Sequence, residues 1–335
     1  MKYVNPYQIF IIYSSLFILL IVLGLALSFG SYKVTFIDYL YSDMSKIQES
    51  VFTKIRLPRV LLSAFVGASL ATSGACLQGL FRNPLADPGL IGVSAGAALG
   101  ATSFIVLGSS FMQGSITNPY LLPISSIFGS AFVISALFFI TKGFGKEGIT
   151  YLLLAGIAVN AFAGVGIGIL TYISSDSELR GLTFWTMGSF GGATISMIAP
   201  ALFFILISFI WIFRESRKLD ILQLGESEAY RLGIDIKKLR FSVIVSSAII
   251  VGISVSLSGM IGFVGLVVPH LSRILGGVNH SFLLPSSALI GAILMVLADL
   301  LARTMIKPAE LPVGLITSAI GSPFFLWLIF RIRKS

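Results

Sequence analysis

The chain has 335 residues, of which 56% are hydrophobic and only 11% are charged, and its mean hydropathy is +0.97. Soluble domains carry about 25% charged residues, so this composition excludes a water-covered globular protein and indicates an integral membrane protein. The net charge of +9 comes without a basic patch interleaved with aromatics, which argues against nucleic-acid binding. The single cysteine, Cys76, excludes an intrachain disulfide.

Apolar runs long enough to cross a bilayer, or nearly so, recur along the whole chain. In chain order they are 9–29, 60–80, 90–108, 121–141, 150–173, 195–213, 240–258, 261–276, 282–302 and 312–330. The first is longer than the 7–15 apolar residues typical of a secretory signal, so we expect it to be retained as a span. The run 261–276 is short and contains Pro269, His270 and Arg273, which leaves a tilted or re-entrant helix open.

The distribution of basic residues predicts how these ten spans are oriented. With both termini in the cytoplasm, fifteen of the 23 lysines and arginines fall inside and eight outside. Cytoplasmic loops of membrane proteins are enriched in Lys and Arg, so this bias supports the orientation. The same orientation places several arginines on the outer side, and the charge bias does not explain them.

A weak internal repeat appears when the sequence is shifted by 185 residues. Matched positions include Gly74 with Gly259 and Pro84 with Pro269. Five spans per half is an odd number, so two such halves would have inverted orientation, as in many transporters. We therefore predict one polytopic domain with a first half 1–190 and a second half 191–335.

The longest polar stretch between spans runs from about 214 to 240. Its apolar residues are spaced as on a helix, and Gly225 and Gly233 punctuate it as helix boundaries often are. This pattern predicts one or two short amphipathic helices at the membrane surface. A plain solvated connector is the alternative.

Known catalytic and nucleotide-binding motifs are missing from the sequence. It has no G-x-x-x-x-G-K-[ST] phosphate loop, no H-E-x-x-H and no G-x-S-x-G. The central parts of the spans lack the carboxylates that ion-coupled transporters usually need, which disfavours an ion-coupled secondary transporter. An enzyme using His270 as acid–base would need a partner within hydrogen-bond reach, and no triad-like set is visible. Energy from a separate ATPase that docks on 214–240 is the simplest interpretation.

The junction 79–92 combines charge with helix-breaking residues between two apolar runs. It contains Arg82, Pro84, Asp87 and Pro88. Such a junction is costly next to lipid, so we expect it to lie against protein or a solvated path.

Five motifs in matching order resemble the FecCD-type permeases, the membrane subunits of type II ABC importers for iron-siderophores, heme and vitamin B12. The resemblance covers about 56–330. The motifs are Arg56-Leu-Pro-Arg59, the run Gly79-Leu-Phe-Arg-Asn-Pro-Leu-Ala-Asp-Pro-Gly-Leu-Ile-Gly-Val-Ser94, Phe184-Trp-Thr-Met-Gly-Ser189, Gly262-Phe-Val-Gly-Leu-Val-Val-Pro-His270 and Glu310-Leu-Pro-Val-Gly-Leu-Ile-Thr317.

This resemblance implies an all-α membrane protein of about ten transmembrane helices, with a permease fold like that of the vitamin B12 importer. It implies a homodimer of permeases in the bacterial inner membrane, two ATPase subunits that use ATP and Mg, and a periplasmic or lipid-anchored binding protein. The chain itself would bind no cofactor or metal and would catalyse no reaction.

The resemblance also suggests three groups of site residues. Arg56, Arg59 and Arg303 match positions that pair with glutamates of the binding protein, although headgroup contacts or intrachain pairs such as Arg303 with Asp299 are alternatives. Asn83, Leu85, Thr150 and Asn160 fall near the gate and translocation path. The residues that match the ATPase-coupling helices are Leu219, Leu222, Leu224, Gly225, Glu226, Ala229, Arg231, Leu232 and Gly233.

The cargo is the least determined property. The variants of the motifs at 81–94, 182–189 and 322–328 look most like the heme branch, with ferric siderophores and vitamin B12 as alternatives. A Pro-His pair like Pro269-His270 is common in the family whatever the cargo, so a structural role is expected for His270.

Overall fold

The computed structural model describes residues 4–30, 32, 39, 44–111, 118–141, 148–306 and 309–332. These residues form helices and their connections, and no strand occurs among them. The helices are α1 (Pro6–Ser28), α2 (Lys46–Ser50), α3 (Leu57–Phe81), α4 (Val93–Phe111), α5 (Leu121–Thr141), α6 (Gly148–Ile173), α7 (Asp176–Met187), α8 (Ile195–Arg214), α9 (Ser216–Leu222), α10 (Glu226–Arg231), α11 (Ile236–Ser258), α12 (Val264–Gly276), α13 (His280–Ala302) and α14 (Val313–Ile332).

Each of the ten predicted spans corresponds to an apolar helix. Seven helices are long and apolar enough to cross a bilayer, and three shorter apolar helices, in α4, α12 and α14, account for the others. The all-helical membrane fold is therefore confirmed. The chain termini predicted to be cytoplasmic, at 1–3 and 333–335, lie outside the described residues.

Two features differ from the sequence prediction. A helical segment of 36 residues, Lys46–Phe81, replaces the predicted span 60–80, because α2 and a π-helical turn at Val51–Arg56 continue into α3. The amphipathic helix α7 was not predicted. Its signal was a capping box, in which the backbone N–H of Ser175 donates to Glu178 Oε2 over 2.8 Å.

Helix α3 is the centre of the bundle. Its membrane-spanning part is 83% buried, whereas α1, α5 and α6 are 28% buried, and α3 packs against α11, α12 and α13. Glycines make this packing possible: a Cβ on Gly67 would lie 2.1 Å from the carbonyl oxygen of Gly291, and one on Gly74 would lie 1.9 Å from that of Gly265. Small residues therefore let the backbones approach closely, as in other membrane helix pairs.

We call the end of the bundle where α1 and α13 finish and α3 begins the outer end, and the opposite end the inner end. At the inner end, α9 and α10 confirm the prediction of one or two short helices in the polar stretch 214–240. The division into inverted halves at 190 remains a prediction.

Candidate functional site

The 82–92 loop, at the inner end between α3 and α4, has a defined backbone. Arg82 ends α3 in the left-handed conformation at φ 50°. Asn83 Oδ1 accepts a hydrogen bond from the Leu85 backbone N–H over 2.9 Å, and Asp87 Oδ1 accepts one from Gly89 N–H over 2.8 Å. Asp87 thereby caps a 3₁₀ turn at Pro88–Ile91. These hydrogen bonds fix the conformation of the loop before the start of α4.

Helix α6 holds this loop from one side. Asn160 Nδ2 donates to the Gly89 carbonyl oxygen over 2.9 Å, and a Cβ on Gly156 would lie 2.1 Å from the Leu90 carbonyl oxygen. The structure therefore brings Asn160 to the loop that carries Asn83 and Leu85. Thr150 lies in the first turn of α6, and its side chain is not among those described.

Asp87 is the acidic residue of this loop, and its surroundings disfavour the charged form. Burial raises the pKa of the Asp87 carboxyl, and the hydrogen bond from Gly89 N–H offsets part of this rise. Its Oδ1 atom accepts the hydrogen bond that stabilises the turn, so the position favours a short acceptor side chain more than a full charge.

A cluster of buried charges lies at the outer end, where it joins α3 to α13 and the segment before α14. Arg59 Nε donates to Asp299 Oδ1 over 2.8 Å, and Arg59 Nη1 donates to Glu310 Oε2 over 2.7 Å. Arg303 Nε lies 3.6 Å from Asp299 Oδ2. We call Arg56, Arg59, Asp299, Arg303 and Glu310 the outer network.

The other contacts of the outer network cap the end of α1. Arg56 Nη1 donates to the carbonyl oxygens of Leu27 and Ser28 over 2.9 and 3.0 Å, and Arg303 Nη2 donates to that of Ala26. Carbonyl groups in the last turn of a helix lack intrahelical partners and carry the negative end of the helix dipole, so two arginines stabilise this end.

All three arginines predicted to dock a binding protein are therefore buried and have partners within the chain. Arg56, Arg59 and Arg303 are only 4 to 6% exposed, whereas the side chain of Glu310 is 47% exposed. The intrachain alternative, Arg303 with Asp299, is present in the structure. The docking role itself remains a prediction, and direct side-chain contact would require these arginines to leave their present partners.

The predicted coupling residues divide into an anchoring group and an exposed group. Leu219, Leu222 and Ala229 are fully buried in the bundle core, whereas Leu224 and Leu232 are more than 60% exposed. Tyr230, in the same stretch of the chain, is 76% exposed. We call Leu224, Tyr230 and Leu232 the coupling surface.

Polar contacts and glycines shape the rest of this region. Glu226 accepts a hydrogen bond from Arg240 over 2.6 Å, which ties α10 to α11, whereas Arg231 pairs with Glu228 at the exposed surface over 3.1 Å. Gly225 and Gly233 have positive φ, 115° and 82°, where other residues are strained. These two glycines end the turns on either side of α10.

Two of the sequence motifs, 184–189 and 310–317, meet at the outer end. The Val313 N–H donates to the Gly188 carbonyl oxygen over 3.0 Å, and a Cβ on Gly259 would lie 2.1 Å from the Trp185 carbonyl oxygen. A cavity of about 290 Å³ opens beside Phe184 and Trp185. The motifs at 184–189 and 310–317 therefore have a packing role in this structure.

The two histidines have different surroundings. His270 lies edge-to-face on Phe324, with ring centroids 5.8 Å apart, whereas His280 contacts Asp220 at the inner end. In the part of the chain that the structure describes, no three His, Cys, Asp or Glu side chains converge as a metal site would require.

Comparison with known proteins agrees with this architecture. The model of the FecCD transport family matches residues 16–331. The chain belongs to the FecCD transport family. Its relatives are permease subunits of ABC importers, and the chain is an integral membrane protein of that class.

Individual relatives cover almost the whole chain. The hemin transport system permease protein HmuU of Yersinia pestis is 45% identical over 324 residues, which are 95% of each chain. The vitamin B12 import system permease protein BtuC of Vibrio vulnificus is 38% identical over 87% of this chain and 86% of its own. A solved metal-chelate type ABC transporter in an inward-facing conformation has a TM-score of 0.85 at 34% identity, covering 96% of this chain and 99% of its own.

Sequence reasoning missed the partners that hold the predicted residues. Asp299 was noticed only as a neighbour of Arg303 at helical spacing, and Glu310 only as the first residue of a motif. Asp220, Gln223 and His280 carried no signal, because their partners lie more than fifty residues away in the sequence. The only sequence signal for such partners was that a charged residue beside an apolar run needs an opposite charge.

Proposed function

We propose that this permease moves heme across the bacterial inner membrane as the transport subunit of an ATP-driven importer. The assignment of heme as the cargo rests on the 45% identity to a hemin permease over 95% of both chains. The vitamin B12 permeases are 38–40% identical. The permease itself is non-catalytic in this proposal. ATP and Mg are used by two partner ATPase subunits, and two copies of the chain enclose the path.

The coupling surface is the proposed ATPase contact. Exposed Leu224 and Leu232 follow the short helices α9 and α10, and exposed Tyr230 lies within α10. These exposed side chains form a suitable hot spot, since aromatic residues are enriched among those that dominate protein–protein binding energy. Gln223, which directly follows α9, donates a hydrogen bond to the Gly79 carbonyl oxygen, three residues before the 82–92 loop. We propose this loop as the inner gate with Asn83, Leu85, Thr150 and Asn160.

The outer network is the proposed contact region for a binding protein. Because its arginines outnumber its carboxylates by three to two and are buried, we infer that they act through their summed positive charge. Buried charges in a low-dielectric region project a stronger field than solvated ones, and such a field steers an acidic partner.

Reconstitution in liposomes tests the proposed function. The purified permease, its ATPase and its binding protein are incorporated, and uptake of hemin, vitamin B12 and a ferric siderophore is compared with ATP inside. We expect ATP-dependent uptake of hemin only. ATP-dependent uptake of vitamin B12 or the siderophore instead of hemin contradicts the assignment of heme as the cargo. Ion-driven uptake in ATPase-free liposomes contradicts the assignment to the ATP-driven importers.

A further inference from the structure

A partly buried contact joins the short helix α9 to the first residue of α13. Asp220 Oδ1 accepts the backbone N–H of His280 over 2.8 Å and lies 2.6 Å from Nδ1 of the same residue. An ionised carboxylate only accepts hydrogen bonds, so the Nδ1 atom carries the hydrogen. One carboxylate oxygen therefore fixes both the start of α13 and the orientation of the imidazole.

The same two elements converge on Gly79, near the end of α3. Gln223 Nε2 donates to the Gly79 carbonyl oxygen over 2.8 Å. The Nε2 atom of His280 is buried with no hydrogen-bond partner among the described residues, and it lies against Gly79, where a Cβ would be only 2.3 Å away. Any larger residue at position 79 would displace the imidazole.

The neighbouring residue on α3 connects to α12. Gln78 Nε2 donates to the Gly265 carbonyl oxygen over 3.1 Å, and Gln78 Oε1 accepts from Arg273 Nη2 over 2.5 Å. The end of α3 is thus held by α9, α12 and α13 together. Three residues beyond Gly79, Arg82 ends the helix and the 82–92 loop begins.

We propose that Asp220, Gln223 and His280 are positioning residues that transmit movement of α9 to the 82–92 loop through Gly79. This inference rests on the proposed function, because it requires an ATPase that moves α9. The fully buried Leu219 and Leu222 pack α9 against the bundle. A displacement of α9 therefore also displaces the residues that it contacts, His280 and Gly79. Contiguous hydrogen bonds between packed elements are the physical route for such coupling.

The test measures the loop itself, so it does not depend on the cargo. Cys76 is fully buried, which lets a Leu85→Cys substitution carry the only reactive thiol for a fluorescent or spin label. The labelled permease is purified with its ATPase, and the label is read with and without ATP and Mg. His280→Leu removes the contact with Asp220, whereas His280→Asn keeps a side-chain N–H near the position of Nδ1. Lys237→Gln, an exposed change nearby, is the control.

We expect all five complexes, the parent and its four variants, to contain the ATPase and to hydrolyse ATP. The label should respond to nucleotide in the parent, in His280→Asn and in Lys237→Gln, while its response should fall about tenfold in His280→Leu and in a second variant, Asp220→Ala. A full response in both disrupted variants overturns the inference and leaves the proposed function intact. Failure of the unlabelled parent to assemble with an ATPase overturns the proposed function instead.

A merely structural role would give a different pattern. If His280 only stabilised the fold, His280→Leu would lower the amount of assembled complex, and the remaining complex would show a normal label response. That outcome overturns the inference. Rescue of the response by His280→Asn, at equal ATP hydrolysis, supports a positioning role.

Discussion

Arg59 and Asp299 form a buried ion pair between residues that are 240 positions apart in the sequence. Their Nε and Oδ1 atoms are 2.8 Å apart, and the two side chains are only 7% and 1% exposed. The pair joins the start of the central helix α3 to the end of α13. Because Arg303 Nε lies 3.6 Å from the second oxygen of the same carboxylate, one negative charge is shared by two arginines.

Loss of Asp299 should destabilise the whole bundle. Asp299→Ala leaves Arg303 without its carboxylate and Arg59 with Glu310 alone, and breaking a buried pair in this way costs about 3–5 kcal/mol. Thermal unfolding of the purified permease in detergent measures the effect. Glu228→Gln, which breaks the exposed pair with Arg231, should cost less than about 1 kcal/mol. Equal shifts would show that the outer network contributes no more than a surface pair.

Removing a negative charge from the outer network should increase the affinity of the permease for an acidic binding protein. Glu310 is half-exposed, and Glu310→Gln removes one negative charge next to Arg59. For an acidic partner we expect tighter binding by up to about 1 kcal/mol, roughly fivefold, at low salt. Titration of the binding protein at low and high ionic strength measures it, and the gain should vanish at high salt. Weaker binding would contradict steering by a net positive network.

The coupling surface should contribute to ATPase binding without contributing to the fold. Tyr230→Ser combined with Leu232→Ser removes exposed side chains, so the unfolding temperature should stay unchanged. Hot-spot residues contribute about 2 kcal/mol or more, so the Kd for the ATPase should rise roughly 30-fold or more. The control is Tyr172→Ser, which removes a 90% exposed tyrosine at the far end of α6. A parallel loss in the control would point to a general defect.

The fold was largely predictable from the sequence, because apolar run length and charge bias report directly on membrane helices. The ten spans and the short helices α9 and α10 followed from these signals. The partners of the arginines did not, because Arg59, Asp299 and Glu310 meet only through the packing of three distant segments. The motif at 79–94 indicated the 82–92 loop, but no feature of the neighbouring sequence indicated that His280 would contact Gly79.

Close helix approach predicts unequal effects for two glycines in spans. A Cβ on Gly74 would collide with the Gly265 carbonyl oxygen at 1.9 Å, while nothing lies within 4 Å of one on Gly164. Gly74→Ala should therefore cost about 1–3 kcal/mol in the free energy of unfolding, as overpacking does. Gly164→Ala should be neutral or slightly stabilising. Thermal unfolding of both variants in one detergent checks this, and a harmless Gly74→Ala would refute the tight contact between α3 and α12.

Two aspartates at the inner end should have opposite effects on the pH dependence of stability. Burial raises the pKa of Asp87, so the folded state favours the protonated form and stability falls as pH rises above about 4. The pKa of Asp235 is lowered, chiefly by the hydrogen bond from the Lys238 backbone N–H, so its contribution is present above about 4 and is lost as pH falls.

Asparagine at each position keeps the capping acceptor and removes the charge. The unfolding temperature of Asp87→Asn, relative to the parent, should therefore increase from about pH 4 to about pH 7, whereas that of Asp235→Asn should decrease as the pH rises from about 3 to about 5. Thermal melts of the parent and both variants across these ranges provide the measurement. Parallel curves for the two variants would mean that the 82–92 loop does not desolvate Asp87, and the loop would then have to be more open to water than its hydrogen bonds to α6 indicate.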